Sequence, residues 1–385
     1  MASPKNPVPG SERTPLPGSR SLGASDPDER LEVTVRVRSR SGKQLQDLVD
    51  QINRTQPGPA GGRQTLTREQ FEAAHGAFPA DMDKVETFAK ENGLVVVEKS
   101  VARRSVVLSG TVAAFNAAFG IRLENYEHPS GTYRGRTGPV QVPDELKDIV
   151  EGVFGLDNRP QAKPHLRVGR IHGNVQWHAA GTSFTPVQLA KLYNFPTGGN
   201  GAGQCIGIIE LGGGYRPADL VTYFNEINVS PAPQVLAVSV DHASNHPTGD
   251  PNGPDGEVML DIEVAGAVAP GAHIAVYFAP NTDRGFLDAI TTAIHDNNNK
   301  PSVISISWGG PESNWTPQAM QAFNQAFQAA AALGVTICCA SGDDGSADGV
   351  NDGQAHVDFP ASSPFALACG GTRLGASGTS ISSEV

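Results

Sequence analysis

The pattern of apolar and polar positions in residues 31–157 mixes two periods. Residues 31–39 alternate apolar and charged side chains, which is typical of a half-buried strand. The pattern predicts helices over 43–53, 67–76, 80–93, 111–120 and 144–157, strands over 94–100 and 103–110, and a hairpin that turns at 128–132. We therefore expect residues 31–157 to form a small α+β domain with an antiparallel sheet.

Two segments on either side of this region lack any apolar period. Residues 1–30 are polar and rich in Pro, Gly and Ser, so we predict that they are disordered. Residues 158–182 are basic and interrupted by Pro and Gly, which is typical of an exposed linker and of a processing site.

The pattern changes after the linker, in residues 183–385. Nearly continuous apolar runs such as QCIGIIELGGG, HIAVYFA, SVISISWGG and GVTICCASGDDG alternate with helical periods, and most of them end in Gly-rich turns. Strands that are apolar on both faces are typical of a parallel sheet covered by helices. Such α/β folds place their sites at the carboxyl ends of the strands.

Composition agrees with this fold class and excludes several functions. The chain has 385 residues, with 44 Gly, 29 Pro and 18% charged residues, and no run approaches the roughly 20 apolar residues of a membrane span. Its start lacks the apolar segment of a secretory signal. The four cysteines lie in apolar runs and show no C-x-x-C spacing, so we interpret them as small buried hydrophobes.

The charge of the chain is divided unevenly. Residues 181–385 contain 19 Asp and Glu but 5 Lys and Arg, a formal charge of −14, whereas residues 1–180 carry +3. A surface this acidic argues against nucleic acid as a partner and favours acid conditions, where its self-repulsion falls.

A pair of acids on one predicted helix is the first candidate for chemistry. Glu257 and Asp261 are spaced i,i+4 between Asp255 and Pro270, so they share a helix face. An isolated pair of this kind is usually a solvated acidic face. Here the surrounding positions are mostly apolar, which favours a buried pair with a function.

Three more residues stand at the ends of predicted strands. Asp343 follows GVTICC, Trp308 follows SIS and Glu210 ends the first strand of this half. Each has an ordinary alternative, since Asp and Gly form turns, Trp fills cores and a lone acid caps a turn. The histidines of this half, including His295, lie in loops or at element edges and offer no convincing base. A base made of carboxylates would work at a pH where imidazole is protonated.

The motif text then resembles a known family. IIELGGGY, PTGDPNGPDGEV, SISWGGPE and GDDGS stand in the order and spacing of the sedolisin, or serine-carboxyl peptidase, family, and the kumamolisin-type precursors are the most similar. The resemblance implies a subtilisin-like fold preceded by an activation domain at 31–157 that blocks the site as an intramolecular inhibitor. It implies that Glu257 and Asp261 are the catalytic glutamate and aspartate, that Asp343 is the oxyanion-side aspartate, and that Glu210 and Trp308 extend the acidic network.

The resemblance also predicts what these residues lack. The family nucleophile is a serine in an S/G-G-T-S-x-x-x-P motif about a hundred residues beyond the oxyanion aspartate, so we expect it, and the family's calcium site, to lie beyond Val385. The SGTS at 377–380 is not followed by the proline, so Ser380 is interpreted as a chance match. The chain by itself is therefore expected to be inactive, and the full-length enzyme to be an extracellular acid endopeptidase with peptide and protein substrates, no membrane partner and bound calcium.

Two alternatives from other classes remain. A glycosidase would also use two carboxyl groups, but they would face each other across a sugar cleft roughly 5–9.5 Å wide, and an i,i+4 pair leaves no such cleft. A catalytically dead protein that acts as an inhibitory or binding module through its first domain is the second alternative.

Overall fold

The computed structural model describes residues 5–54, 64–166, 184–196 and 198–385. The strands of the first half are β1 (Lys5–Pro7), β2 (Arg20–Ala24), β3 (Arg30–Val37), β4 (Val95–Ser100), β5 (Ser105–Thr111), β6 (Glu124–His128), β7 (Gly131–Gly135), β8 (Gln141–Pro143), β9 (Val150–Phe154) and β10 (Lys163–Pro164). Its helices are α1 (Gln44–Arg54), α2 (Arg68–His75), α3 (Pro79–Glu91) and α4 (Val112–Phe119).

In the second half the strands are β11 (Cys205–Glu210), β12 (Gln234–Ser239), β13 (His273–Phe278), β14 (Val303–Ile306), β15 (Trp308–Pro311), β16 (Thr336–Ala340), β17 (Asp358–Phe359), β18 (Leu367–Cys369), β19 (Leu374–Ser377) and β20 (Ser380–Glu384). The helices are α5 (Pro186–Leu192), α6 (Pro217–Glu226), α7 (Pro254–Val268), α8 (Asp283–His295) and α9 (Pro317–Ala332). We call residues 5–157 the N-terminal unit and residues 184–385 the C-terminal unit.

The N-terminal unit has the predicted antiparallel sheet. Its strands lie in the order β4-β5-β3-β9, and all three pairings are antiparallel. Apolar side chains of the sheet pack with α3 and α4 into one core, in which Phe88 contacts Phe119 edge to face. The helices predicted over 43–53, 67–76, 80–93 and 111–120 all form within two residues of the expected bounds.

The prediction of disorder for residues 1–30 is wrong wherever the structure describes that segment. β1 pairs with β8, and β2 pairs with β6. Val8 and Ser11 are fully buried, and the Ser11 hydroxyl accepts a hydrogen bond from the Val140 amide. The composition is misleading because this segment gains its order mainly by pairing with strands far along the chain, and Val8 is its one described residue in the apolar core of this half.

The helix predicted over 144–157 is also wrong. A single 3-10 turn covers Asp144–Leu146, and β9 follows as an edge strand of the sheet beside β3. Val150, Val153 and Phe154 are buried there, and Gln318 of α9 bonds both the amide and the carbonyl of Val153. Tertiary pairing thus overrides a local pattern that fits either period.

The C-terminal unit is built on a six-stranded sheet in the order β12-β13-β11-β14-β16-β18, and every pairing in it is parallel. Helices α6 and α7 cover one face, and α8 and α9 cover the other. The predicted subtilisin-like α/β fold is therefore confirmed. Within the described ranges no helix combines the length and apolar character needed to cross a membrane.

The linker prediction fails over its first part. Asn158 and Arg159 bond residues of the N-terminal unit, and residues 161–165 lie against the C-terminal unit, where Asn281 bonds the backbone of both Gln161 and Ala162. Arg159, Gln161 and Ala162 are buried. The rest of the predicted linker, 167–182, falls outside the described residues.

The cysteines match their prediction only in part. All four are free; Cys205 and Cys339 are buried, Cys338 is partly buried, and Cys369 is exposed on the edge strand β18.

Candidate active site

Helix α7 brings Glu257 and Asp261 to the carboxyl end of the parallel sheet. Pro254 occupies its first turn, and Val258 and Ile262 pack its inner face into the core. Glu257 is buried with 1% of its surface exposed, so a solvated acidic face is excluded. The hydroxyl of Ser307, the single residue between β14 and β15, donates a 2.8 Å hydrogen bond to Asp261 Oδ1.

Glu257 and Asp261 lie one turn apart on α7, and the charge of Asp261 acts on Glu257. Glu257 Oε2 and Asp261 Oδ2 are both buried and have no hydrogen-bond partner. Burial, followed by the charge of Asp261, raises the pKa of Glu257 to about 8, and burial raises the pKa of Asp261 to about 6. Two acids that interact this strongly titrate as one unit, and the proton of the singly protonated pair lies mainly on Glu257, the group with the higher pKa.

Glu210 and Trp308 form the next layer of this network. The Trp308 indole N–H donates a 2.8 Å hydrogen bond to Glu210 Oε2, and both residues are buried. Burial and the charge of Asp261 raise the pKa of Glu210 well above its usual range. The core interpretation of Trp308 and the cap interpretation of Glu210 are therefore incomplete, because the two side chains bond each other next to the acid pair.

Asp343 lies beyond the end of β16, as expected, and is exposed. It is near enough to the acid pair that its charge contributes to the raised pKa of Glu257. The structure thus gathers Glu210, Glu257, Asp261 and Asp343 at one edge of the sheet. The roles assigned to these residues stay predictions.

Ser380 lies elsewhere. It is exposed at the start of β20, where it pairs with Ser377 in the hairpin formed by β19 and β20.

Sequence reasoning missed a strand that crosses the site. β10 pairs antiparallel with β15, with Lys163 opposite Gly309, and the His165 amide donates a 2.9 Å hydrogen bond to the Ser307 carbonyl. Leu166 follows and covers Gly256, where an added Cβ would lie 2.6 Å from its side chain. The only signal in the sequence was a basic segment placed before an acidic half.

The side chain of His165 enters a buried position beside Asp358. His165 Nε2 and Asp358 Oδ2 are 3.3 Å apart, an ion-pair distance at an angle that does not make a good hydrogen bond. Burial lowers the pKa of His165, but the bonding and charge of Asp358 outweigh it, so the pKa is raised overall. Gly309 leaves the space for this contact, since a Cβ there would lie 2.2 Å from Asp358 Oδ1.

No group of three or more His, Cys, Asp or Glu side chains in the described part of the chain is arranged to hold a metal ion. Calcium therefore stays an expectation from the resemblance, and no step of the chemistry below involves it.

Fold and site together define the precursor of a subtilase-type peptidase, and comparisons with known proteins agree. Residues 17–159 match the family described as "Pro-kumamolisin, activation domain", and residues 243–384 match the subtilase family. The first match begins well inside the segment predicted to be disordered.

Curated relatives narrow the class to one family. The chain is 52% identical to kumamolisin from Bacillus sp. (strain MN-32) over 97% of its own length and 68% of that protein. It is 29% identical to tripeptidyl-peptidase sed5 from Aspergillus fumigatus, covering 96% of the chain and 66% of that protein. Sedolisin from Pseudomonas sp. (strain 101) is 29% identical over 90% of the chain and 60% of its own length. The chain belongs to the sedolisin family, in its kumamolisin-like branch, and spans about two thirds of these relatives.

A solved structure of Pseudomonas sedolisin, complexed with two molecules of pseudo-iodotyrostatin, also matches. It is 26% identical, with a TM-score of 0.46 over 54% of this chain and 58% of that chain.

Proposed function

We propose that the chain is most of the precursor of an acid-acting endopeptidase that hydrolyses peptide bonds with a serine nucleophile and a carboxylate base. The observation that supports this most is the buried pair Glu257 and Asp261, which lies beneath a strand of the chain's own N-terminal part. Family membership supports the reaction class, since one relative is named a tripeptidyl-peptidase and another, sedolisin, is described as a serine-carboxyl proteinase.

Glu257 is the general base in this proposal. It takes the proton of the serine hydroxyl during attack on the substrate carbonyl and returns it to the leaving amine. For this step the proton of the pair has to lie on Asp261, so that Glu257 is a carboxylate, and the Ser307 hydroxyl fixes the orientation of Asp261 by its 2.8 Å bond. Glu210 and Trp308 hold a further carboxyl group against the pair.

Asp343 has the complementary role. A protonated carboxyl group there would donate a hydrogen bond to the oxyanion of the tetrahedral intermediate. Removing one such donor typically costs about 10²–10³ in rate, so Asp343 should matter nearly as much as the base.

The nucleophile is the part of the site that residues 1–385 do not supply in this proposal. Ser380 is unsuited to the role because its partners lie in an exposed hairpin.

The N-terminal unit is proposed to inhibit the site until it is cut away. Residues 163–165 pair antiparallel with 307–309, as an extended peptide substrate would, and Leu166 closes over Gly256 beside the base. Maturation is expected between about Pro160 and Thr182. As carboxylates protonate between about pH 5 and 3, the attraction between the +3 and −14 parts of the chain weakens and favours release. By resemblance the mature enzyme is expected outside the cell, with calcium bound.

The test compares two proteins. One is the 385-residue chain, and the other is a chimera in which the remaining third is taken from the corresponding part of kumamolisin. We expect acid hydrolysis of a peptide library by the chimera and none by the chain. Activity of the chain that is lost on Ser380→Ala would contradict both the missing nucleophile and the assignment of Ser380. A chimera that folds, binds its N-terminal unit and cleaves nothing would favour the inhibitory or binding module instead.

A further inference from the structure

The interface between the two units contains a histidine that the proposed chemistry does not use. His295 is the last residue of α8, in the C-terminal unit. Its sequence position suggested a surface residue, but the N-terminal unit covers it. Phe71 of α2 lies against the imidazole with 5.3 Å between ring centroids, and His295 Nδ1 is shielded from solvent without a hydrogen-bond partner.

Four arginines of the N-terminal unit lie near enough for their charges to act on this imidazole. Arg68 Nε donates a 3.0 Å hydrogen bond to the carbonyl of Ile294, the residue before His295. Arg103 Nη1 donates a 3.0 Å bond to the Thr292 hydroxyl, one turn earlier on α8. Arg36 and Arg104 complete the set, and the positive charge of all four opposes protonation of His295.

The acids near this cluster are already engaged. Glu151 pairs with Arg104 at 3.0 Å, and Glu98 pairs with Arg103. Asp288, two turns back on α8, accepts from the Thr34 hydroxyl, and Asp296 accepts from Tyr277 and Asn299. The groups that face His295 or its arginines from the packed elements are therefore Arg36, Arg68, His75, Glu98, Arg103, Arg104, Glu151, Asp288 and Asp296.

We propose that His295 is a proton-operated switch: protonation of its imidazole sets it against the four arginines and separates the N-terminal unit from the C-terminal unit. The inference rests on the proposed function in one respect, because it takes release of the N-terminal unit as the step that His295 controls. His295 would act at a higher pH than the carboxylates do.

The direction of the effect follows from the two states of His295. In the closed chain, burial first and then the four arginines lower its pKa to about 3. After separation these arginines and Phe71 are gone, and an imidazole at a helix C-terminus titrates near 6.5 or above. The equilibrium constant for docking of the two units therefore has its full value above about pH 6.5. Below that pH it falls by up to about tenfold per pH unit, so that at pH 4.5 it is about 100-fold lower.

The experiment reads separation in the intact 385-residue chain and needs no peptidase activity. Hydrogen exchange of α2 and the end of α8, corrected for the intrinsic rate at each pH, measures opening between pH 3 and 8. We expect opening to rise below about pH 6 in the wild type and to be at least tenfold smaller at pH 4.5 in His295→Gln. The control is His246→Gln, which removes an exposed imidazole and should follow the wild type.

Identical pH profiles for the wild type and His295→Gln would overturn the proposal. A second measurement covers the case in which His295→Gln does not fold. In the wild type with ¹³C-labelled histidine, the His295 signal should stay neutral at pH 5 for as long as α2 is protected. A His295 that titrates near 6.5 while α2 remains protected would overturn the proposal as well. Failure of the chimera to cleave peptides would leave both readouts intact and concern the proposed function alone.

Discussion

Buried charged side chains have different partners in the two halves of the chain. In the first half, most buried arginines have a carboxylate partner: Arg159 bonds Asp157 through two nitrogens at 2.8 and 2.6 Å, and Arg134 bonds Glu29 at 2.6 Å. At the edge of the parallel sheet, carboxyl groups are buried beside one another, and Glu257 and Glu210 each retain an oxygen without a partner. Paired charges cost little to keep buried, whereas unpaired carboxyls persist only where another requirement selects them.

The comparison distinguishes buried charged residues that stabilise the fold from buried carboxyl groups that destabilise it and serve the proposed chemistry. Substitutions of the paired charged residues should change stability more than activity. Substitutions of the unpaired carboxyl groups should change activity more than stability.

The largest effect is expected from Glu257→Gln in the chimera. Loss of the base should reduce kcat/KM by roughly 10⁴–10⁶-fold, as removal of a triad member does. The same change should stabilise the protein at pH 8 by about 1 kcal/mol or more, because the carboxylate no longer has to ionise in a buried site; the gain should vanish at pH 4, where Glu257 is protonated in both states. Peptide hydrolysis and urea unfolding at both pH values measure the two effects. Full activity of Glu257→Gln would contradict this role. So would a variant whose stability, compared with that of the wild type, is lower at pH 8 than at pH 4.

Asp157→Asn is expected to change stability more than activity. Arg159 would lose its charged partner while it remains buried against Tyr133, whose ring centroid lies 4.9 Å from the guanidinium carbon. Removing one member of a buried pair typically costs about 3–5 kcal/mol, so the midpoint of urea unfolding should fall sharply. Exposed Glu127→Gln, which breaks the solvated pair with Arg20, is the control and should cost less than about 1 kcal/mol.

The parts of this site that the sequence predicted share a local origin. Glu257 and Asp261 are fixed by helix spacing, and Glu210, Trp308 and Asp343 are fixed by strand ends, so each could be placed before any tertiary structure was known. Ser307 could not be chosen among many serines, because its role depends on the contact of a loop with α7. The strand at 163–164 could not be predicted either, since it exists only through pairing with β15.

The same distinction explains the errors in the fold. Residues 5–30 and β9 acquire their structure from partners more than a hundred residues away in the chain, and neither has a local pattern that requires it. The prediction that His295 lies at the surface is wrong for the same reason, because Phe71 of α2 packs against its ring.

A smaller effect is expected from Gly309→Ala, with Gly310→Ala as the matched control. A methyl group at 309 would collide with Asp358 and with His165 Nε2, at 2.2 and 2.8 Å, whereas a methyl group at 310 meets nothing within 4 Å. Overpacking of this kind costs about 1–3 kcal/mol, so hydrogen exchange in residues 161–166 should rise by roughly tenfold or more in Gly309→Ala only. Equal exchange in the two variants would show that β10 is not held by the fit of His165 against Asp358.

The smallest effect, and the sharpest test of where the nucleophile lies, is expected from Ser380→Ala. Ser380 is exposed, and its described partner is Ser377 across the hairpin, so loss of its hydroxyl leaves no buried polar group unpaired. Exposed substitutions of this kind change stability by less than about 0.5 kcal/mol. In the chimera, kcat/KM should stay within about twofold of the parent protein, measured beside Glu257→Gln on the same peptide. Were Ser380 the nucleophile, its loss would instead match the loss of the base, because members of one catalytic unit cost about the same when removed singly. The ratio of the two rate losses therefore decides whether the carboxyl pair works with this serine or with one supplied from outside residues 1–385.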